Sequence, residues 1–268
     1  MQKSFTDQMG RSVAVNYPPK RIISVVPSQT ELLFDLGLDE EVIGITKFCI
    51  HPIEKFASRT KVGGTKKLRM ETIRQLQPDL IIANKEENTQ SEIEELMQEF
   101  PVWISDIGNL EEAVIAIREI GALVDRQPEA AYLTHLIQAG FNDLQVLAAQ
   151  RKIHIPTAYL IWKDPYLFAG RGTFIDDVLR KIGLSNVIPQ DRYPELAIEQ
   201  LQDLGCELVL LSSEPYPFAA KHIAAIETAV PKAKVILADG EMFSWYGSRL
   251  VKAVGYLFEL QKDLANSH

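Results

Sequence analysis

The sequence predicts an α/β protein of two lobes, each built on a mostly parallel sheet, and three observations predict it. Short apolar strands alternate with amphipathic helices, this order occurs twice, and one long helical stretch separates the two runs. The chain has 268 residues, 46% of them hydrophobic, which is enough for two cores. The expected division is an N-terminal α/β lobe over residues 1–126, a linking helix over 127–151 and a C-terminal α/β lobe over 152–268.

Residues 21–26 are β-branched and apolar, stop at Pro27, and are followed by Ser28-Gln29-Thr30-Glu31. That tetrad has capping-box spacing ahead of Leu32-Leu33-Phe34, so it predicts a strand, a turn and a helix ending at Gly37. The pattern continues with a strand at 42–45, a helix at 70–77 and a strand at 79–83. A helix at 91–100, a strand at 102–104 and a helix at 110–124 complete the first run. In the second run, a strand at 157–161 precedes Thr173-Phe174-Ile175-Asp176, again at cap spacing, and a helix that ends at Gly183.

The two runs overlay. Residues 30–38 match 176–184, each a helix running into Gly-Leu, and residues 71–82 match 199–210. In the latter pair a glutamate (Glu71, Glu199) is followed eight positions on by an acid (Asp79, Glu207) and a buried strand. The paired order favours a pseudo-twofold repeat. Between the runs, Leu133, Leu136, Ile137, Phe141, Leu144 and Leu147 step by three and four, which predicts one helix over 127–150, on the order of 30 Å long. Gly140 inside it marks either close packing or a bend.

Composition excludes several classes. A formal net charge of −8 opposes nucleic-acid binding. The longest apolar runs fall far short of the roughly 20 residues a membrane-spanning helix needs. Cys49 and Cys206 form no C-x-x-C pair and no disulfide framework. Residues 1–7 lack the apolar stretch of a signal peptide, so the expected compartment is cytoplasmic if Met1 is the natural start and outside the membrane if a signal has been removed. No G-x-S-x-G, phosphate-loop or G-x-G-x-x-G pattern points to an enzyme, and no intrinsic cofactor is expected.

In open α/β sheets, ligands meet the loops at the carboxyl ends of the strands. Ser28 and Arg171 lie in such loops at helix starts, where backbone N–H groups can hold an anion or an amide oxygen; capping alone accounts equally well for Ser28 and less well for Arg171. Three more loops carry aromatic and polar groups suited to a large flat ligand: one around Phe48, one around Trp162, and one running Glu241-Met242-Phe243-Ser244-Trp245-Tyr246 to Arg249. Trp103, inside a short strand, reads as core. Cys49 and His51 have adjacent-ligand spacing and are the weak candidates for a metal, but no recognised ligand pattern includes them, and a bare ion is not expected.

Taken together, Pro19-Lys20-Arg21-Ile22-Ile23-Ser24, Pro27-Ser28-Gln29-Thr30-Glu31-Leu32, the stretches 76–83 and 170–186, and the segment from Asp239 to Arg249 resemble the helical-backbone (class III) periplasmic substrate-binding proteins of ABC importers. The resemblance spans essentially the whole chain, and the 239–249 segment looks like the cobalamin-binding branch. It implies two Rossmann-like lobes joined by a single backbone helix with the ligand cleft between them. By the resemblance, Phe48 sits where that branch has an aromatic contact to the corrin, and Glu241 to Trp245 match its carboxy-terminal ligand loop. Thr65 departs from the enterobacterial pattern, which has tryptophan there. Glu71 and Glu199 match the acidic residues that dock on the two permease subunits in this family, and a pseudo-twofold gives each lobe one carboxylate for a symmetric partner.

The expectation is therefore a monomeric binding protein, not an enzyme, that captures a corrinoid or other bulky metal chelate and presents it to an ABC permease dimer. Two alternatives accompany it. A ferric-siderophore or heme receptor on the same fold predicts an anionic chelate held by Arg171 or Arg249; an enzyme or metallochaperone predicts metal at Cys49 and His51.

Overall fold

The structure, a computed structural model, describes residues 1–266. The chain divides into two compact units. Unit 1 comprises Met1–Ile107, Glu111–Leu136 and Tyr246–Arg249; unit 2 comprises Gly108–Leu110, Ile137–Trp245 and the chain from Leu250 onward.

In chain order the first elements are β1 (Gln2–Thr6), β2 (Ser12–Asn16), β3 (Ile22–Ser24), α1 (Pro27–Asp35), β4 (Val42–Ile45), α2 (Ile53–Phe56), β5 (Thr60–Lys61), β6 (Gly63–Gly64) and β7 (Lys67–Leu68). There follow α3 (Met70–Leu76), β8 (Leu80–Asn84), α4 (Gln90–Met97), β9 (Val102–Ser105) and α5 (Leu110–Leu123). The sheet of unit 1 runs β5-β4-β3-β8-β9, and every pairing in it is parallel. Parallel strands need crossover connections, and helices laid over a sheet bury both its faces. Accordingly β3 and β8 are buried at every position, and Ile23, Val25, Ile73, Ile81, Ile93 and Leu96 share one core cluster. Trp103 is fully buried, as its place inside a strand predicts.

The helix α6 (Gln127–Gln150) has the predicted extent, and the division between the units falls within it, after Leu136. Gly140 is a point of close packing: a Cβ there would lie 2.6 Å from Val254 Cγ2. Unit 2 continues with β10 (Ile155–Trp162), β11 (Leu167–Phe168), α7 (Phe174–Lys181), β12 (Leu184–Asn186), α8 (Gln200–Asp203), β13 (Leu208–Ser212), α9 (Ala220–Ala229), β14 (Lys234–Ala238), α10 (Gly240–Ser244) and α11 (Arg249–Ala265). Its sheet runs β11-β10-β13-β14, with β12 also on β10; only β11 is antiparallel.

The internal repeat is visible in the helix ends. Gly37 and Gly183 close α1 and α7 at φ +84° and +83°, the left-handed conformation that favours glycine after a helix. The helix starts differ. Thr173 caps α7 as expected, its Oγ1 accepting from Asp176 N at 3.2 Å. Ser28 and Glu31 form no capping box: Val26 is the N-cap of α1, Pro27 with its preset φ opens the helix, and both residues lie buried inside it. Two hairpins, β1–β2 and β6–β7, were not among the expected elements.

Glu31 instead carries a tertiary bond. Its Oε2 accepts from Arg249 Nε at 2.8 Å, with side-chain exposures of 3% and 6%. Beside it, Gly247 lies so close to α1 that a Cβ would meet Ser28 O at 2.6 Å. The segment Tyr246–Arg249 is thereby held on unit 1, while the residues on either side of it belong to unit 2. Removing one partner leaves a buried charge, so Glu31→Gln and Arg249→Gln should each lower unfolding free energy by about 3–5 kcal/mol. The double variant should lose less than the sum of the two. Urea denaturation of all four proteins measures this, and additive losses below about 1 kcal/mol each would refute it.

Candidate functional site

In unit 1 the carboxyl ends of β3, β8 and β9 are knitted by buried amides and hydroxyls. Asn84, the last residue of β8, donates to Ser105 Oγ at 2.9 Å, and its Oδ1 accepts the N–H groups of Glu86 and Glu87 at 2.9 and 3.0 Å. Asn88 returns a bond to Asn84 N at 2.8 Å and reaches Val25 O and Thr65 O, both at 3.1 Å. Gln29 of α1 bonds Ser105 Oγ. Asn84 and Asn88 satisfy backbone groups at the strand ends and so fix the loops that follow, while Gln29 ties α1 to the Ser105 hydroxyl. Asn84, Asn88 and Ser105 did not stand out in the sequence, and Gln29 did so only within the capping tetrad; the signal that could have found Asn84 is an amide closing an apolar strand.

After β4 the chain presents Phe48, 50% exposed, with Lys47 Nζ 4.9 Å from the ring centroid. The ring rests on Gly64, where a Cβ would approach Phe48 Cε2 to 3.1 Å. Cys49 points the other way. Its Sγ lies 3.1 Å from Thr30 Oγ1 and from Thr46 Oγ1, and burial pushes the thiol pKa up. His51 is half-buried, and among the described residues no group of three or more His, Cys, Asp or Glu is arranged to hold a metal ion.

In unit 2, Trp162 ends β10 at 39% exposure, and its ring meets Tyr216 edge-on at 5.7 Å and 74°. Tyr216 packs on Phe218 at 4.6 Å. The turn after β13 and the start of α10 interlock: Ser213 Oγ accepts from Gly240 N at 2.9 Å, and Glu214 Oε1 accepts from Trp245 Nε1 at 2.8 Å and Ser244 Oγ at 3.0 Å. Arg171 is exposed just before α7, its backbone tied to Gln190 and Arg192 by bonds of 2.9 Å each.

The loop expected to run from Glu241 to Arg249 is thus divided. Glu241, Met242 and Ser244 are half-buried in α10, whereas Phe243 is fully buried with its ring 4.9 Å from that of Tyr159. Trp245 is 7% exposed, with its indole N–H committed to Glu214. Tyr246 and Arg249 are buried in unit 1, near Ser28, itself 5% exposed. The exposed members of the predicted set on the strand ends are therefore Phe48 in unit 1 and Trp162 and Arg171 in unit 2. Glu71, in the first turn of α3, and Glu199, the N-cap of α8, are exposed at corresponding places in the repeat.

The carboxyl ends of the parallel strands thus carry hydrogen-bonded polar loops and the exposed rings of Phe48 and Trp162. The sequence profile of the periplasmic binding protein family matches residues 22–239. The chain belongs to that family. It is 22% identical over 94% of its length to an uncharacterised ABC transporter substrate-binding lipoprotein, YvrC, of Bacillus subtilis (strain 168), covering 83% of that protein. It is 28% identical over 69% of its length to the vitamin B12-binding protein of Vibrio campbellii, covering 68% of it. The petrobactin-binding protein YclQ of Bacillus subtilis superimposes with a TM-score of 0.80 at 15% identity, over 98% of each chain, a likeness of fold alone. The binding proteins of this family carry their ligands as transported cargo and not as resident cofactors. No described helix is long and apolar enough to cross a membrane.

One further acid lies beside the polar network of unit 1. Burial raises the pKa of Glu87, and the nearby Lys66 offsets this only in part. A carboxyl raised on folding adds stability below its unfolded pKa and loses it as pH rises through the higher folded value. Glu87→Gln should therefore raise the melting temperature at about pH 8, and the gain should vanish toward about pH 4. Melting curves across that range check the sign; a loss at the upper end would contradict it.

Proposed function

We propose that this periplasmic binding protein is the substrate-binding component of an ABC importer, working outside the cytoplasmic membrane, and that its cargo is a bulky, flat metal chelate, with a corrinoid as the leading candidate. The observation that carries the reading is the pair of exposed aromatics, Phe48 and Trp162, each at the carboxyl end of a parallel strand and each backed by its own unit. Exposed aromatic faces with rigid backing suit a planar macrocycle, because little side-chain freedom remains to be lost on binding. The vitamin B12-binding relative supports the corrinoid, and the substrate-binding lipoprotein supports the transport role.

The exposed Glu71 and Glu199 are proposed as contacts to the two permease subunits, one carboxylate from each half of the repeat. Binding without chemistry is the reading for the whole chain. An anionic chelate such as heme or a ferric siderophore would draw on Arg171, since Arg249 is committed to Glu31.

Titration calorimetry with cyanocobalamin, heme and a ferric hydroxamate tests the choice of cargo. Saturable one-to-one binding of the corrinoid is expected, weakened about ten-fold or more by Phe48→Ala and by Trp162→Ala. Silence toward the corrinoid with saturation by heme or the ferric chelate would move the assignment to that cargo.

A further inference from the structure

We infer that Glu214 is a positioning residue of the ligand-binding face of unit 2, acting on Trp162 through Tyr216. Neither the repeat nor the family likeness singles out Glu214; the hydrogen bonds around it do.

Its carboxylate adds side-chain bonds between the turn after β13 and the end of α10. Oε1 takes the indole N–H of Trp245 at 2.8 Å and the hydroxyl of Ser244 at 3.0 Å, both at the end of α10, while Glu214 itself sits in the turn after β13. The two turns are already in register: Ser213 N donates to Ala238 O at 2.9 Å, and Ser213 Oγ accepts from Gly240 N. Space is matched as well, since a Cβ on Gly240 would lie 2.5 Å from Glu214 Cγ. Charge-assisted bonds to a carboxylate are about twice as strong as neutral ones, so this acid outranks its neighbours as a fastener.

What it fastens is the base of an aromatic stack. Two residues on, Tyr216 N donates to Ile161 O at 3.4 Å, and the Tyr216 ring supports Trp162 from its edge. Phe218 and His222 close the stack behind Tyr216, with ring centroids 4.6 and 5.7 Å from it. The backbone of Trp162 is held by its pairing with Leu167 of β11, and its half-exposed ring takes its pose from the Tyr216 ring it meets. Releasing Glu214 from α10 frees the turn, and with it the ring on which Trp162 rests. Binding should then weaken although no ligand contact has been removed, because ordering the platform becomes part of the binding cost.

The affinity arm of the test rests on the cargo proposed above, whereas a ligand-free arm does not. Protein labelled with fluorotryptophan contains three probes, Trp103, Trp162 and Trp245, assignable by single Trp→Phe variants. In the fluorine spectrum, Glu214→Ala should move or broaden the Trp162 and Trp245 signals and leave Trp103, buried in unit 1, unchanged. Glu214→Gln keeps an oxygen acceptor and should restore both signals. Cyanocobalamin affinity should fall about ten-fold or more in the alanine variant and stay within about three-fold in the glutamine variant. An unmoved Trp162 signal in Glu214→Ala overturns the inference, and so does an unchanged affinity or equal losses in the two variants. If the wild-type protein binds none of cyanocobalamin, heme and ferric hydroxamate, the cargo assignment fails, and the ligand-free spectra alone decide the role of Glu214.

Discussion

A single buried ion pair, Glu31 with Arg249, closes unit 1 across 218 residues of sequence. It holds the four residues Tyr246–Arg249 against the first helix, and Gly247 allows the contact by bringing its backbone onto Ser28. That arrangement has a chemical consequence. The arginine in this segment is spent on structure, and so is the acid that the capping pattern assigned to the helix start. A desolvated carboxylate and guanidinium tolerate little change, because either one alone is far less stable in that position than the pair.

With that segment fixed, the proposed ligand contacts lie at the strand ends. All-parallel order places the carboxyl ends of neighbouring strands side by side, so residues remote in sequence share one edge. In unit 1 the edge is made rigid by amides: Asn84, Asn88 and Gln29 occupy the hydrogen-bonding groups of three strands. In unit 2 the same task is done by a carboxylate, Glu214, and by serine hydroxyls. Each edge then presents one exposed aromatic on prepared backing, glycine behind Phe48 and tyrosine behind Trp162. Preorganised surface of this kind converts contact area into affinity, since the groups are already ordered.

Most strands and helices of unit 1 could be read from the sequence because burial imposes a period, whereas in unit 2 only β10, α7 and the α8–β13 pair were, and β11, β12, β14, α9, α10 and α11 were not. β8 and β13 are apolar at nearly every position, and α6 keeps its stripe for 24 residues. The paired glycines Gly37 and Gly183 were legible because left-handed backbone favours that residue. The hairpin β6–β7 was not, since each of its strands is two residues long, whereas β2 alternates about the buried Val13 and Val15, a period of two that the sequence does carry. Ser28 to Glu31 carries an N-terminal signature that tertiary demand overrides: Pro27 opens the helix two residues earlier than that signature sets, and Arg249 draws Glu31 inward. The site was legible as loops and not as roles. Residue type gave Phe48 and Trp162, but nothing local distinguishes Trp162, exposed on its support, from Trp245, buried on Glu214.

The proposed cargo site is the carboxyl ends of the strands in each sheet. Hydrogen–deuterium exchange with and without bound cyanocobalamin tests it most directly, because local opening is what a ligand suppresses. Slowed exchange is expected in residues 46–50 and 84–88 of unit 1 and in 162–166 and 213–218 of unit 2, with no change in 140–150 of α6. Protection confined to α6, or none at those four strand-end segments in a protein that binds the corrinoid, would contradict the account.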